Sequence, residues 1–196
     1  RADNRGKLSH RNAPNNSMAR DRIEHCAECP SKLAAQVGHS GAMVVTQPGF
    51  IYWNGDRYRH DVDPVLLNSL YPVGSLDRNG VSLAFGSDCP VIDPNPWHGI
   101  YSAVTGFSRD AQPLSGIAED PSLRDQKVPI EAALRMYTIA GAYADGTHDV
   151  KGTVRPGKLA DLVLVDQDPT KVDPETLRDI RPILTMVGGR VAWEGG

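Results

Sequence analysis

The sequence predicts an α/β fold built on a parallel sheet, followed by a small β-rich subdomain. Over 21–150, short apolar segments typical of strands alternate with segments typical of helices, which is the order found in parallel α/β sheets. The apolar segments are continuous rather than alternating, which indicates strands covered on both faces. From 151 onward, short strands and turns replace the helices. We therefore divide the chain into an irregular start at 1–20, an α/β body at 21–150 and a β subdomain at 151–196.

The first half of the body contains three predicted strands and two predicted helices. In order, they lie at 22–26 (strand), 31–37 (helix), 42–45 (strand), 63–70 (helix) and 81–85 (strand). Ser31 is expected to cap the first helix and Gly38 to end it. Asp63 is followed by Pro64, and proline is favoured at the first helical position, so the second helix is predicted to begin there.

The second half of the chain is predicted to contain one long helix and the β subdomain. A polar stretch with proline and glycine predicts a loop at 110–126, and apolar residues at helical spacing predict a helix at 129–144. Strands are expected at 162–165, 183–187 and 191–193. Gly188 and Gly189 would join the last two as a hairpin. Asp173 is expected to cap a short helix between the first two of these strands.

Composition and charge argue against several classes of protein. The formal net charge is -3 and no basic stripe stands out, so we expect no nucleic-acid partner. No apolar run is long enough to span a bilayer, so we expect no membrane association. The chain has three cysteines, which cannot all pair with one another, and this favours a reducing, cytoplasmic location.

Two polar residues directly follow predicted buried strands. His25 ends the first strand, and Asp88 follows the third after a Gly-Ser pair. In barrels of alternating strands and helices, the carboxyl ends of the strands form the active-site face. Imidazole and carboxylate are both ordinary zinc ligands, so the two side chains are candidates for a metal site. The alternative is structural: His25 as a hydrogen-bonded core histidine and Asp88 as a helix cap.

Other chemically active residues carry weaker signals. Cys26 and Cys29 form a C-x-x-C pair, but a zinc ribbon needs a second pair and only Cys89 remains. A thioredoxin-like pair would open a helix, so incidental cysteines are the favoured interpretation. His98 lies shortly after Asp88 and is a candidate substrate contact, with a surface loop as the alternative. The aromatic residues at 52, 53 and 58 either wall a pocket or pack a long loop.

Several motifs, taken in order, resemble the amidohydrolase superfamily, and most closely its third amidohydrolase family, which includes N-substituted formamide deformylases. The motifs are RIEHC at 22–26, VTQP at 45–48, AFGSDCPV at 84–91, GIYSAVT at 99–105, EAALRMYT at 131–138, GKLADLV at 157–163 and VGGRV at 187–191. Each motif alone is weak, but the set in this order is specific. The resemblance covers about residues 20–193.

The resemblance implies a partial TIM-type (β/α) barrel, made of strands six to eight and their helices, with the C-terminal part of a small β domain. His25 matches the metal-ligand histidine of strand six, and Asp88 matches the aspartate of strand eight, which is both ligand and proton acceptor. Gln47 and Pro48 would end strand seven and line the substrate pocket with His98. The family's remaining ligands lie upstream, and none of their motifs is visible in this sequence. The arginine that usually follows the GIYSAVT motif is also missing, because Gly106 stands there.

The implied activity is hydrolysis of a non-peptide C–N bond in a small amide-type substrate, with a divalent metal, zinc being expected. The metal would polarise the carbonyl group and activate water. The rival interpretation is a non-catalytic chain: a truncated or decayed hydrolase, or a binding module. Either way, the missing N-terminal half of the barrel leaves strand edges open, so self-association is also a prediction.

Overall fold

The body of the fold is a parallel three-stranded sheet with helices between its strands. The computed structural model describes residues 21–114 and 126–195. The strands are β1 (Arg22–Glu24), β2 (Met43–Thr46) and β3 (Ser82–Phe85), in the spatial order β1-β2-β3. Val44 pairs with Ile23 on one side and with Leu83 on the other. The predicted parallel sheet is therefore confirmed, and the predicted irregular start at 1–20 lies outside the described residues.

The central strand is buried, whereas β1 lies at an open edge of the sheet. Val44 is completely buried, and Leu83 and Phe85 of β3 are buried as well. All three residues of β1 are exposed. Within the described residues the sheet has three strands and does not close into a barrel.

Helix α1 (Ser31–Ser40) is longer than the sequence predicts. Pro30 precedes its first turn and Ser31 is its first helical residue, so Ser31 does not cap it. Gly38 was expected to end the helix but lies inside it. The helix ends instead at Gly41, whose φ of 74° is the left-handed conformation that glycine adopts without a steric penalty.

Two helices on either side of α3 were not predicted. The aromatic segment read as a long loop forms α2 (Gly49–Asp61). Its apolar residues do not follow a clear helical stripe, which explains why periodicity missed it. α3 (Pro64–Leu67) begins at Pro64 as predicted, and the Asp63 side chain caps it by accepting from the backbone N–H of Val65. α3 is short, and a separate helix α4 (Val73–Arg78) follows it.

α5 (Pro96–Thr105) is the most deeply buried helix of the described part of the chain. Its N-cap is Asn95, whose side-chain oxygen accepts from the N–H of Trp97. Ile100 and Tyr101 are almost fully buried, in the same core as Leu76 of α4.

The helix predicted at 129–144 is broken in two. α6 (Ile130–Tyr137) and α7 (Ile139–Ala144) are separated by Thr138, whose backbone has φ −119° and ψ −94°. The Thr138 hydroxyl donates to the carbonyl of Leu134, a side-chain contact that competes with helix continuation. The predicted loop is irregular at 110–114 and at 126, while 115–125 lies outside the described residues.

The C-terminal part forms a second sheet, as predicted. Its antiparallel strands are β4 (Leu162–Val165), β5 (Pro182–Val187) and β6 (Arg190–Glu194), in that spatial order. Gly188 and Gly189 have positive φ and make the hairpin, and the Asp161 side chain accepts from the N–H of Gly188.

A 3₁₀ helix (Pro174–Asp179) connects β4 and β5 and ties this region to the body. The Asp173 side chain caps it by accepting from the N–H of Glu175. Leu177 and Ile180 are buried in the same apolar core as α5. Among the described residues, no helix is long and apolar enough to cross a membrane.

Candidate active site

The carboxyl ends of the three parallel strands bring the sequence-predicted residues to one edge of the sheet. His25 directly follows β1, Gln47 directly follows β2, and Asp88 lies three residues beyond β3. The strand ladder continues past the strand ends, because the N–H of His25 donates to the carbonyl of Val45 at 2.8 Å and that of Gly86 donates to the carbonyl of Thr46 at 3.1 Å. This edge is where βα folds collect catalytic side chains.

The imidazole ring of His25 is oriented by Gln47. The His25 Nδ1 atom lies 2.9 Å from Oε1 of Gln47. The amide nitrogen of Gln47 donates to the carbonyl of Val45 at 3.5 Å, which leaves Oε1 facing the histidine. Since an amide oxygen only accepts, Nδ1 is the donor, and in the neutral ring Nε2 then keeps a free lone pair. Metal-binding histidines are typically oriented by a hydrogen bond of this kind from the ring nitrogen that does not bind the metal.

His25 and Asp88 also share an unusual backbone conformation. Their φ angles are 65° and 58°, in the left-handed region that non-glycine residues seldom occupy. Such residues cluster at functional sites, where the surrounding structure holds them in place. Both side chains are exposed at the sheet edge.

These positions fit neither structural alternative. His25 is an exposed residue rather than a core histidine, and the helix after β3 is capped by Asn95 rather than by Asp88. The carboxylate of Asp88 accepts no hydrogen bond from residues 21–114 or 126–195. It is therefore open to a ligand on the solvent side.

Tyr71 is a neighbour of the site that the sequence did not point to. It is buried, has a φ of 43°, and stacks on Phe50 with ring centroids 5.6 Å apart. Its N–H donates to the carbonyl of Ala27, which ties it to the segment after His25. Burial, a hydrogen bond with Tyr58 and the nearby charge of Asp88 raise the pKa of Tyr71. The Tyr-Pro dipeptide carries no periodic or motif signal, so only the tertiary contacts reveal this residue.

His98 lies in the first turn of α5, not in the surface loop considered as an alternative. Its ring stacks on Tyr52 at 4.3 Å and meets the edge of Trp53 at 5.2 Å. Burial lowers the pKa of His98, with Arg109 adding to the effect and Asp93 opposing it. Its Nδ1 atom is buried and has no hydrogen-bond partner among the described residues.

The remaining predicted pocket residues are less open. Pro48 is fully buried, and Gln47 is 4% exposed with its amide directed at His25 and Val45. Their assignment as substrate contacts therefore stays a prediction.

The donor set fits part of a divalent metal site. An imidazole Nε2 and a carboxylate are suitable zinc donors. The hydrogen bond from Nδ1 that orients such a ring is present, with Gln47 as its acceptor. However, the part of the chain that the structure describes contains no group of three or more His, Cys, Asp or Glu side chains placed to hold an ion. A catalytic zinc usually has three protein ligands, so these residues supply at most part of the site.

Comparison with known proteins finds one matching family model and several relatives that are named as hydrolases. The model of the third amidohydrolase family matches residues 7–193. An N-substituted formamide deformylase from Arthrobacter pascens is 28% identical over 88% of the chain, and the amidohydrolase YtcJ from Bacillus subtilis, whose assignment is provisional, is 25% identical over 89%.

Solved structures agree with this result. A metal-dependent hydrolase from Pyrococcus horikoshii is 26% identical, with a TM-score of 0.63 over 78% of the chain. A zinc-bound adenosine deaminase from Xanthomonas campestris has a TM-score of 0.54 over 87% of the chain, and at 22% identity it supports the fold alone. The chain spans 31% and 32% of the length of the two curated relatives and 30% of the Pyrococcus structure.

Proposed function

Because the chain belongs to the amidohydrolase family, we propose that it forms strands six to eight of the barrel of a metal-dependent hydrolase that cleaves a non-peptide C–N bond. The observation that carries the proposal is the His25–Gln47 hydrogen bond, which engages Nδ1 and leaves Nε2 for a ligand, on an exposed residue that follows its strand end as the exposed Asp88 does. The metal-dependent hydrolases among its relatives support the same reaction class.

We propose His25 and Asp88 as ligands of a divalent metal, with zinc as the expected ion. When bound, the metal would polarise the substrate carbonyl and lower the pKa of water. The rest of the coordination shell would come from barrel strands that are not represented in the described residues. Gln47 acts through His25, because its amide holds the ring in the tautomer that leaves Nε2 free.

Asp88 is the proposed proton carrier. Its carboxylate accepts a proton from the attacking water as the oxygen bonds to the carbonyl carbon. It then gives that proton to the nitrogen as the C–N bond breaks, so the group returns to its starting state. No hydrogen bond from the described residues occupies this carboxylate, which leaves its oxygens available for both steps.

The substrate class is a small amide-type molecule, by analogy with the relative named as an N-substituted formamide deformylase. Pro48 and His98 are proposed to line the approach to the site. His98 would act through the aromatic stack that it forms with Tyr52 and Trp53.

The test is an Asp88→Asn variant of the full polypeptide that contains this sequence. Turnover of N-substituted formamides, bound metal and melting temperature should be measured together. Asparagine keeps the shape of aspartate but cannot accept the water proton, so we expect a folded protein with turnover lowered by at least about a hundredfold. Asp179→Asn is the matched control, since Asp179 is also an exposed aspartate but lies on the 3₁₀ helix, and it should leave turnover unchanged. Near-normal turnover of the Asp88 variant would reduce Asp88 to a structural residue.

A second candidate is a non-catalytic family member. It is favoured by one observation: the described residues contain no group of three or more His, Cys, Asp or Glu side chains that could hold a metal ion, and a catalytic zinc usually has three protein ligands. Failure of the unmutated polypeptide to bind metal or turn over any amide in the same assays would support this candidate.

A further inference from the structure

Tyr71 completes a closed series of contacts that joins the two strand-end loops of the candidate site. The series begins at His25, whose Nδ1 atom lies 2.9 Å from Oε1 of Gln47. The carbonyl of Gln47 accepts from the N–H of Phe50 at 3.0 Å. The Phe50 ring stacks parallel to the Tyr71 ring, with centroids 5.6 Å apart. The N–H of Tyr71 donates to the carbonyl of Ala27 at 2.7 Å, which returns the series to the loop that carries His25.

The loop after β1 is paired along its length with the segment that carries Tyr71. Besides the hydrogen bond from Tyr71, the N–H of Cys29 donates to the carbonyl of Ser69 at 2.8 Å. Glu28, between the two bonded positions of the loop, forms an antiparallel bridge with Leu70. Because this pairing fixes the two segments to each other, they move as one unit.

The Tyr71 side chain docks this paired unit on α2. It is buried, and it stacks on two rings of that helix: Phe50, and Tyr58 with centroids 6.2 Å apart. Ala27 packs against the same small apolar cluster, which is separate from the core that contains α5. Since α2 begins two residues after Gln47, the Tyr71 side chain holds the loop of one strand against the helix that follows the next strand.

The backbone of Tyr71 shares an unusual conformation with the two proposed metal ligands. Its φ is 43°, compared with 65° for His25 and 58° for Asp88. Non-glycine residues seldom occupy this region, and those that do cluster at functional sites, where the surrounding structure holds them in place. The other buried members of the small cluster have no positive φ. The conformation of Tyr71 therefore groups it with the site residues.

We propose that Tyr71 is a positioning residue that holds the loop after β1 where His25 meets Gln47. A hydrogen bond weakens steeply as its distance and angle depart from the optimum. Movement of the loop away from α2 would therefore release Nδ1 of His25 from the Gln47 amide. The consequence for metal binding rests on the proposed function, but the coupling between Tyr71 and the His25 ring is a property of the folded chain alone.

The experiment records nitrogen-15 NMR spectra of the histidine rings in the 196-residue chain without metal, at about pH 8.5, where an ordinary histidine is neutral. A His25→Ala variant assigns the His25 signals. Tyr71→Leu keeps a buried apolar side chain but removes the flat ring, so we expect the form of His25 protonated at Nε2 to become populated. Tyr71→Phe keeps the ring and removes only the hydroxyl, so its spectrum should match that of the unmutated chain.

Two further variants separate positioning from a general loss of stability. Phe50→Leu removes the other half of the stack and should populate the same form of His25; it decides the question by itself if circular dichroism shows that Tyr71→Leu is unfolded. Leu177→Ala truncates a buried side chain of the other core, in the 3₁₀ helix, so it should lower the melting temperature and leave the His25 signals unchanged. An unchanged His25 spectrum in a folded stacking variant, or the same spectral change in Leu177→Ala, would overturn the proposal.

Metal binding distinguishes this inference from the proposed function. In the metal-binding polypeptide, Tyr71→Leu should lower metal affinity by about tenfold, at the low end of the loss typical when an orienting contact is removed. If the unmutated polypeptide binds no metal, the proposed function fails while the ring spectra still decide the role of Tyr71. If it binds metal and the His25 spectrum of Tyr71→Leu is unchanged, the positioning role fails by itself.

Discussion

The Oε1 atom of Gln47 accepts a hydrogen bond from Nδ1 of His25 at 2.9 Å, across the carboxyl ends of two neighbouring parallel strands. Gln47 is itself buried and is held by the carbonyl of Val45. The pair therefore couples the end of β2 to the orientation of an exposed imidazole on β1, and this coupling can be tested without any substrate.

Replacing Gln47 with leucine should release the ring of His25. Without the amide acceptor, the form protonated at Nδ1 is no longer stabilised, so we expect the form protonated at Nε2 to become populated in the variant. Nitrogen-15 NMR of the histidine ring distinguishes the two. In the metal-binding polypeptide, loss of such an orienting contact typically lowers metal affinity by about 10–100-fold.

The control for this change is Gln36→Leu, on the exposed surface of α1. It should leave the His25 spectrum unchanged. A single Nδ1-protonated form in both variants would mean that Gln47 does not orient the ring.

The pH dependence of stability should contain a contribution from His98. Burial holds the pKa of His98 below its ordinary value of 6.5 in the folded protein. The unfolded chain therefore takes up this proton first as the pH falls, so the contribution is complete above about pH 6.5 and is lost as the pH drops through the lower folded pKa.

A His98→Phe variant should not lose this contribution to stability as the pH falls. Phenylalanine retains the stacking on Tyr52 and does not titrate, and it also removes the buried Nδ1 atom that has no described partner. Urea denaturation at pH 7 and at pH 5 should show a smaller drop in the free energy of unfolding for this variant than for the unmutated chain. The exposed His60, replaced in the same way, serves as the control. Equal drops in all three proteins would contradict the expectation.

Helix α2 should not tolerate a methyl group at Gly55. A Cβ atom placed there would lie 2.7 Å from Cβ of Ser108, at the contact between α2 and the segment after α5. Overpacking of this kind costs about 1–3 kcal/mol, which exceeds the gain of about 1 kcal/mol from replacing a helical glycine with alanine. We therefore expect Gly55→Ala to lower the free energy of unfolding.

The matched change is Gly141→Ala in α7, where a Cβ atom would meet no other atom within 4 Å. There the helix propensity acts alone, so the variant should be as stable as the unmutated chain or up to about 1 kcal/mol more stable. Chemical denaturation of both variants measures the difference. A stabilised Gly55 variant would show that α2 and the 106–109 segment can separate at little cost.

The C-terminal sheet should drive self-association of the 196-residue chain. Val163 pairs with Thr185, which pairs with Trp193, so these three share one face, and both Val163 and Trp193 are exposed. Leu164, on the opposite face, is exposed as well. Apolar residues exposed on both faces of a three-stranded sheet favour association, because contact with another molecule removes them from water.

Sedimentation velocity at increasing concentration should therefore detect oligomers. Val163→Lys places a charge on the exposed face and should shift the chain toward monomer, whereas Val154→Lys, at an exposed position outside the sheet, should not. A monomeric unmutated chain at all concentrations would contradict this expectation. We also expect the chain by itself to lack hydrolase activity, because the described residues hold too few metal ligands.

The sequence alone predicted the strands, their parallel order and the polar residues that end them. These features depend on local information: continuous apolar runs form buried strands, and a His or Asp directly after such a run must lie at the carboxyl edge of the sheet. Motif order also identified the family, which the comparisons confirm. The cap at Asp173 was predicted for the same reason, since a cap depends on residues only two positions apart.

Only the tertiary structure decided the features that depend on contacts between distant segments. Helix α2 lacks an amphipathic stripe, because its aromatic residues pack against α5 and other segments rather than onto one face, so periodicity could not detect it. The hydrogen bond between Gln47 and His25 joins residues 22 positions apart. Tyr71 lies in a segment that carries no motif, and its N–H donates to the carbonyl of Ala27 beside the site. The exposure of Asp88 and its left-handed backbone likewise could not be derived from local sequence. Local sequence determines which residues end each strand, but the packing of the strands and loops determines which of those residues meet.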